Sequence, residues 1–344
     1  MAITITPHLS EQDENTSLAD LTDNELLDDE WEEQQQERRK QRHRRKPDAG
    51  SDQTITQLLA QSDGLSELIT TYTPSRHERG WLLSSLRDFY DQGLVSDILA
   101  SIKGGKEASV YRCRTAPAAL DAVGSDLLAA KVYRPRQFRN LRNDALYREG
   151  RPVLTAEGKE VKNSDTRIMR ALGKKTGFGM QVQHTSWLMY EHTTLDTLHR
   201  AGAAVPRPIA FSENALLMEY CGDETTAAPT LIETSLEVDE AYTLLAEVRR
   251  NLEILLANDM IHGDLSPYNI LYWQGKITLI DFPQVVNSRT NPHAEDIFRR
   301  DVRRVCEYFL RMGVECDPDR LAGDLWEMSD PVSPVGAHLA DLPF

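Results

Sequence analysis

Two carboxylates and one amide close together in the sequence place the strongest constraint on this chain. Asp264 and Asn269 lie on either side of Pro267, in a segment whose turn residues predict a non-helical loop. The apolar run 277–280 predicts a short buried strand that ends at Asp281. Each of these polar residues, taken alone, is common in surface turns. Together they are more informative, because the strand would bring Asp281 beside the loop.

This arrangement predicts the transfer of a phosphoryl group. Asp264 would accept the proton of an attacking hydroxyl, while Asn269 and Asp281 would hold Mg²⁺ on the phosphates of a nucleotide. Carboxylate and amide oxygens are suitable ligands for this hard cation. The spacing therefore indicates a kinase or an ATPase that uses ATP and Mg²⁺.

Residues 101–111 predict a strand, a glycine turn and a second strand. This shape is typical of a loop that covers nucleotide phosphates, although a simple Gly-Gly hairpin would explain it equally well. Aligned to the kinase glycine pattern, Gly105 matches the middle glycine, Ala108 replaces the third and Lys103 replaces the first. The residues expected at the nucleotide are Lys103, Gly105, Lys106 and Val110.

Another strand is predicted over residues 127–133, an apolar run with Lys131 as its only charged side chain. Because an unpaired ammonium in an apolar strand is costly, Lys131 requires an anionic partner. The phosphates of ATP and a glutamate on a helix are the natural partners at a phosphotransfer site.

Five motifs in this order resemble those of the RIO family of atypical protein kinases. The similarity runs from about residue 94 to residue 309, and Asp301 follows the last motif. The motifs are GKEASVY, AAKVY, HGDLSPYNIL, IDFPQ and NPHA. The branch without a winged-helix domain fits best, because no strand-turn-strand wing separates the N-terminal helical patterns from Asp97.

The resemblance implies a role for several residues. Lys131 would bind phosphates, Asp264 would be the catalytic base, and Asn269 and Asp281 would bind Mg²⁺. In RIO proteins the second aspartate can also accept the γ-phosphoryl group, so Asp281 would be a nucleophile as well as a ligand. Glu191, on a predicted helix, matches the glutamate that pairs with the lysine; a solvated helix carboxylate is the alternative.

Residues 215–222 predict a strand that runs into a glycine, as at the hinge between kinase lobes. Because backbone groups hold adenine at such a hinge, the Glu219 carbonyl and the Cys221 amide are expected to contact the ring. Met218 would be the gatekeeper residue, a core residue of the strand, or both.

Departures from ordinary protein kinases predict that the usual activation switch is absent. Gly263 stands where those enzymes have the arginine that pairs with a phosphorylated activation loop. Pro283 follows Phe282 in place of glycine, and 63 residues remain after Asp281. This is too little chain for an activation segment and a full peptide-docking lobe. We therefore expect activity without loop phosphorylation, and a cramped acceptor site.

The composition predicts a soluble, cytoplasmic protein with no membrane partner. No apolar run reaches the roughly 18 residues of a membrane span, and the first residues lack a signal-peptide pattern. The four cysteines show no paired short spacing, which predicts neither a zinc site nor a disulfide framework and fits a reducing compartment. They are Cys113, Cys221, Cys306 and Cys316.

Charge patterns suggest how the chain is divided. Residues 1–37 carry twelve acidic residues and no Lys or Arg, whereas residues 38–46 carry seven basic ones. Such blocks bury too little apolar surface to fold alone, which predicts a disordered tail. The expected regions are the tail (1–50), helices packing on the kinase (51–96), the kinase N-lobe (97–222) and the kinase C-lobe (223–344).

A long basic insertion is predicted between Lys131 and Glu191. Residues 132–186 carry twelve basic and five acidic residues, an excess of +7 in a chain whose net charge is −15. Such clustering predicts a flap over the nucleotide or a contact with RNA, with a solvated surface as the alternative. The family resemblance adds a pre-ribosomal particle as a candidate partner.

The expected fold class is α+β: a two-lobed protein-kinase-like fold with a small β-rich N-lobe and a truncated helical C-lobe. Its central helix is predicted over 235–257, with Leu245, Val248, Leu252 and Leu255 as the buried stripe. The expected function is ATP- and Mg²⁺-dependent phosphorylation of Ser or Thr on a protein acceptor or on the chain itself, with ATPase activity through an aspartyl-phosphate. Two alternatives stay open: a small-molecule phosphotransferase of the aminoglycoside or choline kinase type, and an ATP-switched assembly factor in ribosome maturation.

Overall fold

A computed structural model describes residues 70–105, 108–134, 153–155, 158–162, 164–174 and 176–329. The predicted tail, Lys106 and residues 135–152 of the basic insertion lie outside these ranges. Within the described ranges, no helix is long and apolar enough to cross a membrane.

The N-terminal lobe is built on a five-stranded antiparallel sheet with the order β1-β2-β3-β5-β4. The strands are β1 Val95–Gly104, β2 Ala108–Thr115, β3 Leu127–Tyr133, β4 Pro208–Phe211 and β5 Ala215–Glu219. Strand β3 lies in the middle and is buried along its whole length. Its Lys131 pairs with Val110 on one side and Leu216 on the other, which fixes the position of the lysine in the sheet.

Helix α1 (Arg76–Asp91) covers one face of this sheet. Its Leu82, Leu86 and Phe89 are fully buried against residues such as Ile98 and Leu128. The part of the predicted helical region 51–96 that precedes residue 70 lies outside the described residues. A short helix, α2 (Leu120–Val123), follows a 3₁₀ turn at Pro117–Ala119 and leads into β3.

Two helices precede β4. Helix α3 covers Thr166–Gly173 and helix α4 covers Gly177–Arg200. The Thr176 hydroxyl accepts a hydrogen bond of 3.1 Å from the Gly179 amide, which caps the start of α4. Because α4 begins at Gly177, the last ten residues of the predicted insertion belong to this long helix.

The C-terminal lobe is mainly helical. Its elements are α5 Val238–Ala257, β6 Met260–Ile261, β7 Ile270–Trp273, β8 Lys276–Leu279, β9 Val286–Asn287, α6 Ala294–Arg311 and α7 Pro318–Ser329. Strands β7 and β8 form a hairpin, and β6 pairs with β9. The β-rich first lobe and the mainly helical second lobe are the expected two-lobed α+β class.

The central helix corrects one detail of the predicted stripe. Val248, Leu252 and Leu255 are buried as expected, but Leu244 takes the buried position that was assigned to Leu245. Leu244 and Leu245 lie four and three residues before Val248, so both fit the period of the stripe. Packing places Leu244 in the core and leaves Leu245 half-buried.

The expectation of no disulfide is wrong. Cys306 near the end of α6 and Cys316 before α7 are joined, with their Cα atoms 5.6 Å apart. The chain reverses between these two helices, and the turn brings two cysteines ten residues apart into contact. Spacing alone did not indicate this pairing. Cys113 and Cys221 are free thiols.

Candidate active site

The centre of the candidate site is Lys131. Its ammonium lies 2.5 Å from a carboxylate oxygen of Glu191 and 2.6 Å from one of Asp281. The lysine and glutamate side chains are 10% and 2% exposed, whereas the aspartate side chain is 43% exposed. The predicted need of Lys131 for anionic partners is therefore met by two carboxylates, one buried and one partly exposed. The alternative of a solvated carboxylate at Glu191 does not hold.

Glu191 is held from both sides of its carboxylate. While Oε1 faces Lys131, Oε2 accepts a hydrogen bond from the hydroxyl of Tyr133. Lys131 and Tyr133 are two residues apart on β3, so their side chains emerge on the same face of the sheet. The Tyr133 ring also packs edge-to-face on Trp187 of α4, at 4.6 Å between centroids. Sequence reasoning missed Tyr133, although its spacing from Lys131 was a usable signal.

The charges of this cluster support one another. Burial by itself would lower the pKa of Lys131, but the nearby carboxylates of Asp281 and Glu191 outweigh it and raise that pKa well above its usual range. Burial would likewise raise the pKa of Asp281, but Lys131, together with His262 and Lys103, brings a net lowering. At neutral pH Lys131 is therefore charged and Asp281 is ionised.

Asp281 adopts a backbone conformation that is uncommon for a residue other than glycine. Its φ is +72°, in the left-handed region. Such a conformation costs about 1–3 kcal/mol and occurs preferentially at functional sites. The residue follows β8, where the Ile280 amide donates a hydrogen bond of 3.0 Å to the Asn269 carbonyl. The β7–β8 hairpin thus brings Asn269 and Asp281 to one end, as the sequence predicts.

The predicted base, Asp264, lies in a loop that Asn269 closes. The Asn269 amide nitrogen donates to the Asp264 carbonyl at 2.8 Å and lies 3.5 Å from its carboxylate. His262 connects the loop to the residue that follows β8, since its Nε2 lies 3.0 Å from the Ile280 carbonyl. The two predicted functional residues of the loop are therefore in contact with each other, and a backbone hydrogen bond joins Asn269 to Ile280, the residue before Asp281.

Helix α6 supports this loop from below. The buried carboxylate of Asp301 accepts a hydrogen bond of 2.8 Å from the Gly263 amide, and Arg300 donates to the Gly263 carbonyl. Arg304, one turn further, lies 2.9 Å from the carboxylate of Asp264. Sequence reasoning noted Asp301 within a motif but gave no signal for Arg304, because a surface arginine on an amphipathic helix is unremarkable without the fold.

Gly263 has no room for a side chain. Its φ is +84°, and a Cβ there would lie 2.2 Å from the Gln284 carbonyl oxygen. The arginine of ordinary kinases could not occupy this position without moving the backbone. Only residues 282–293 separate Asp281 from the start of α6, so the segment after Asp281 is short.

The other residues expected at the nucleotide occupy the N-lobe sheet. Lys103 is exposed near the end of β1, and the Gly105 amide donates to the Ala108 carbonyl at 2.8 Å. A Cβ on Gly105 would lie 2.7 Å from that same oxygen, so the turn requires glycine. Val110 is half-buried on β2, directly opposite Lys131.

The expected hinge residues lie at the end of β5 and directly after it. Met218 is 9% exposed and packs in the core that includes Leu265 and Phe282 of the C-lobe. The Glu219 amide donates to the Arg207 carbonyl, and the Cys221 carbonyl accepts from the Ala228 amide. The contacts predicted for the Glu219 carbonyl and the Cys221 amide with adenine stay predictions.

The oxygen donors present fit Mg²⁺. Because the Asn269 nitrogen donates to Asp264, its amide oxygen is the atom that could face a cation beside Asp281. Among the described residues, no group of three or more His, Cys, Asp or Glu forms a metal site. Mg²⁺ at phosphotransfer sites is commonly bound by one or two protein oxygens together with substrate phosphates and water.

Three features define the protein-kinase-like class here. They are a sheet with a lysine–glutamate pair, a helical lobe with an Asp-Asn loop, and a second Asp after a hairpin. Within this class, a family model for the RIO domain matches residues 147–321. The chain therefore belongs to the RIO family.

Curated relatives belong to the same family, and a solved structure has a similar fold. The chain is 32% identical over 225 residues to the RIO-type serine/threonine-protein kinase Rio1 of Haloferax volcanii, covering 64% of this chain and 66% of that protein. It is 35% identical over 135 residues to the Rio1 kinase of Thermoplasma acidophilum, covering 39% of this chain and 69% of that protein. The Rio2 kinase–ADP/Mg²⁺–phosphoaspartate complex from Chaetomium thermophilum matches with a TM-score of 0.50 and 21% identity, covering 85% of this chain and 80% of that one. The last match supports the fold.

Proposed function

We propose that this chain is a RIO-type kinase that transfers the γ-phosphoryl group of ATP to Ser or Thr hydroxyls. The acceptor is another protein or the chain itself. The observation that carries this proposal is the contact of Lys131 with both Glu191 and Asp281. The pair with Glu191 fixes the ammonium, and the exposed carboxylate of Asp281 lies where phosphates and a cation would meet it. Membership of a family with serine/threonine kinases as curated members supports the same activity.

Each residue has a defined task in this proposal. Lys131 binds phosphate oxygens, and the backbone around Gly105 covers them. Asn269 and Asp281 hold Mg²⁺, which when bound neutralises charge on the transferring phosphoryl group. Asp264 orients the acceptor hydroxyl and takes its proton. At the hinge, the Glu219 carbonyl and the Cys221 amide bind adenine beside Met218.

Asp281 is also the proposed acceptor in a second reaction. A carboxylate oxygen of Asp281 attacks the γ-phosphorus, the bond to the bridging oxygen breaks, and ADP leaves. Water then cleaves the aspartyl-phosphate to phosphate and the free carboxylate, which completes ATP hydrolysis. The 43% exposure of this side chain supports the proposal, because the phosphoryl group must reach it. The solved Rio2 structure is named as a phosphoaspartate complex.

The test is to incubate the purified protein with γ-labelled ATP and to treat half of each sample with alkaline hydroxylamine. An acyl-phosphate is lost in this treatment, whereas phosphoserine and phosphothreonine are retained. We expect Asp264→Asn to lose the resistant label and keep nucleotide affinity, and Asp281→Asn to lose the sensitive label. Resistant label on the Asp264→Asn variant at the wild-type level would remove Asp264 from the mechanism, and no labelling of wild type would reject kinase activity.

Activity without prior phosphorylation belongs to the same proposal. The absence of space for an arginine at Gly263 and the short 282–293 segment support it. Protein pretreated with a phosphatase, which is then removed, should label acceptors at the untreated rate. A strict requirement for prior phosphorylation would contradict this part of the proposal.

We also propose an RNA-containing partner, such as a pre-ribosomal particle, and a cytoplasmic location. The basic excess of residues 132–186 supports the former, and in the described part of that region Arg167 and Arg170 are exposed on α3. Changing both arginines to Gln should weaken RNA binding and reduce its dependence on salt, measured by filter binding at two salt concentrations. Unchanged binding would remove α3 from the interface. Cell fractionation tests the location.

A further inference from the structure

Arg304 contacts the proposed catalytic base directly. Its Nη1 lies 2.9 Å from Oδ1 of Asp264, and the two side chains are 42% and 41% exposed. The other carboxylate oxygen, Oδ2, lies 3.5 Å from the Asn269 amide nitrogen, which is too long for a strong hydrogen bond. One oxygen of the base is therefore held by a cation, while the other has only a weak contact with Asn269.

The helix that carries Arg304 is fixed to the same loop. Arg300 donates to the Gly263 carbonyl, and Asp301 accepts from the Gly263 amide at 2.8 Å. Asp301 is 1% exposed, so this attachment is in the core. Residues 300, 301 and 304 of α6 thus bind three successive groups of the loop. The backbone that carries the Arg304 guanidinium is therefore fixed relative to Asp264.

We propose that Arg304 is the positioning residue for Asp264, and this inference rests on the proposed kinase function. By holding Oδ1, the guanidinium directs Oδ2 towards the acceptor hydroxyl, whose proton Asp264 receives while the hydroxyl oxygen bonds to phosphorus. A guanidinium suits this task because its rigid fork is always charged and imposes a direction on the carboxylate. The path through Asp281 needs no proton acceptor at Asp264, so Arg304 affects hydroxyl acceptors selectively.

The neighbouring Arg303 provides a matched control. It is adjacent on α6 and 54% exposed, and it lies 3.4 Å from Asp319, whose side chain is 72% exposed. Pairs of this kind contribute little to stability. The two arginines share residue type, helix and partner chemistry, and they differ in whether the partner is the proposed base.

The experiment compares wild type, Arg304→Gln, Arg304→Lys, Arg304→Ala and Arg303→Gln as full-length proteins. Hydroxylamine-resistant label measures transfer to hydroxyls, and hydroxylamine-sensitive label measures transfer to Asp281, each over a range of ATP concentrations. We expect Arg304→Gln to lower kcat for hydroxyl transfer about tenfold, the effect of losing one charge-assisted hydrogen bond, without changing KM for ATP. Label on Asp281 should be unchanged. Arg304→Lys should recover part of the loss, and millimolar guanidinium should partly restore Arg304→Ala.

Three results would overturn the inference: hydroxyl transfer by Arg304→Gln at the wild-type rate, a faster rate in that variant, or equal loss of both labels without rescue by guanidinium. The wild-type rate would mean that the contact is an ordinary surface ion pair. A faster rate would mean that Arg304 inhibits Asp264. Equal loss of both labels without rescue would mean that the contact is purely structural. An effect of Arg303→Gln as large as that of Arg304→Gln would also count against it. Failure of the kinase function itself appears separately, as absence of resistant label in the wild type.

Discussion

Lys131 and Asp281, 150 residues apart in the sequence, lie 2.6 Å apart and connect the N-lobe sheet to the C-lobe hairpin. The lysine is buried on the central strand, whereas the aspartate follows β8 in a left-handed conformation. The contact depends on the register of β3 and on the turn after β8 together. Any change that moves either element therefore alters the proposed phosphate site.

The first prediction concerns the buried charge on Glu191. Lys131→Met leaves that carboxylate, 2% exposed, without its cation, and we expect the free energy of unfolding to fall by about 3–5 kcal/mol. Adding Glu191→Gln should recover part of this loss, because the uncompensated buried charge is then removed. Urea unfolding measures both changes, with Lys276→Met on the exposed end of β8 as the control. A double variant less stable than Lys131→Met would contradict the argument.

The second prediction concerns the hydroxyl of Tyr133. Tyr133→Phe removes the donor to Oε2 of Glu191 and leaves a buried acceptor with one partner fewer. We expect a loss of about 1.5–3 kcal/mol in unfolding free energy, as for hydrogen bonds to charged groups. The matched control is Tyr242→Phe, since Tyr242 is 47% exposed on α5 and its change should cost little. Equal stability of the two variants would show that Tyr133 does not support Glu191.

The fold class could be predicted from the sequence. So could the pairing of Lys131 with Glu191 and the grouping of Asp264, Asn269 and Asp281. A lone lysine in an apolar strand must have an anion, and the partners predicted for it were the phosphates of ATP and a helix glutamate. The contact of Lys131 with Asp281 was not predicted. These inferences depend on the spacing of apolar residues and on the residue types found in turns, and both can be read from short stretches of sequence. The RIO motifs added the order of the elements.

Contacts that depend on how helices are rotated and placed were beyond the sequence. Arg304 reaches Asp264 from the same helix on which Asp301 and Arg300 bind the loop at Gly263. The joining of Cys306 and Cys316 depends on the reversal between two helices. In the central helix, both Leu244 and Leu245 fit an apolar stripe, and only packing decides which one faces the core.

The third prediction separates steric conflict from backbone conformation at Gly263. Gly263 and Gly275 both have positive φ, +84° and +77°, but only Gly263 has a neighbour that a Cβ would strike. Gly275→Ala should therefore cost about 1–2 kcal/mol, the penalty of the left-handed conformation alone. Gly263→Ala should cost clearly more and should lower kcat, because the Gln284 carbonyl or the loop must move. Thermal unfolding and the labelling assay measure these effects, and equal costs would mean that the loop absorbs the side chain.

The fourth prediction concerns pH and Asp301, the buried carboxylate beneath Gly263. Burial raises the pKa of Asp301, although His262 and Arg300 oppose this shift. For a carboxyl whose folded pKa lies above its unfolded value, the folded state binds the proton more tightly, so stability falls as pH rises through the folded pKa. Asp301→Asn carries no titrating group at this position and serves as the reference.

The free energy of unfolding of the wild type, minus that of Asp301→Asn, should therefore decrease as pH rises from about 3.8, the ordinary value for Asp, through the raised folded pKa. Above that pKa the difference should become constant, because the carboxyl is then ionised in both states. Urea unfolding of the two proteins between about pH 3.5 and pH 7 measures it. A difference that grows with pH would mean that the hydrogen bonds to the ionised form outweigh burial, and that the pKa of Asp301 is lowered.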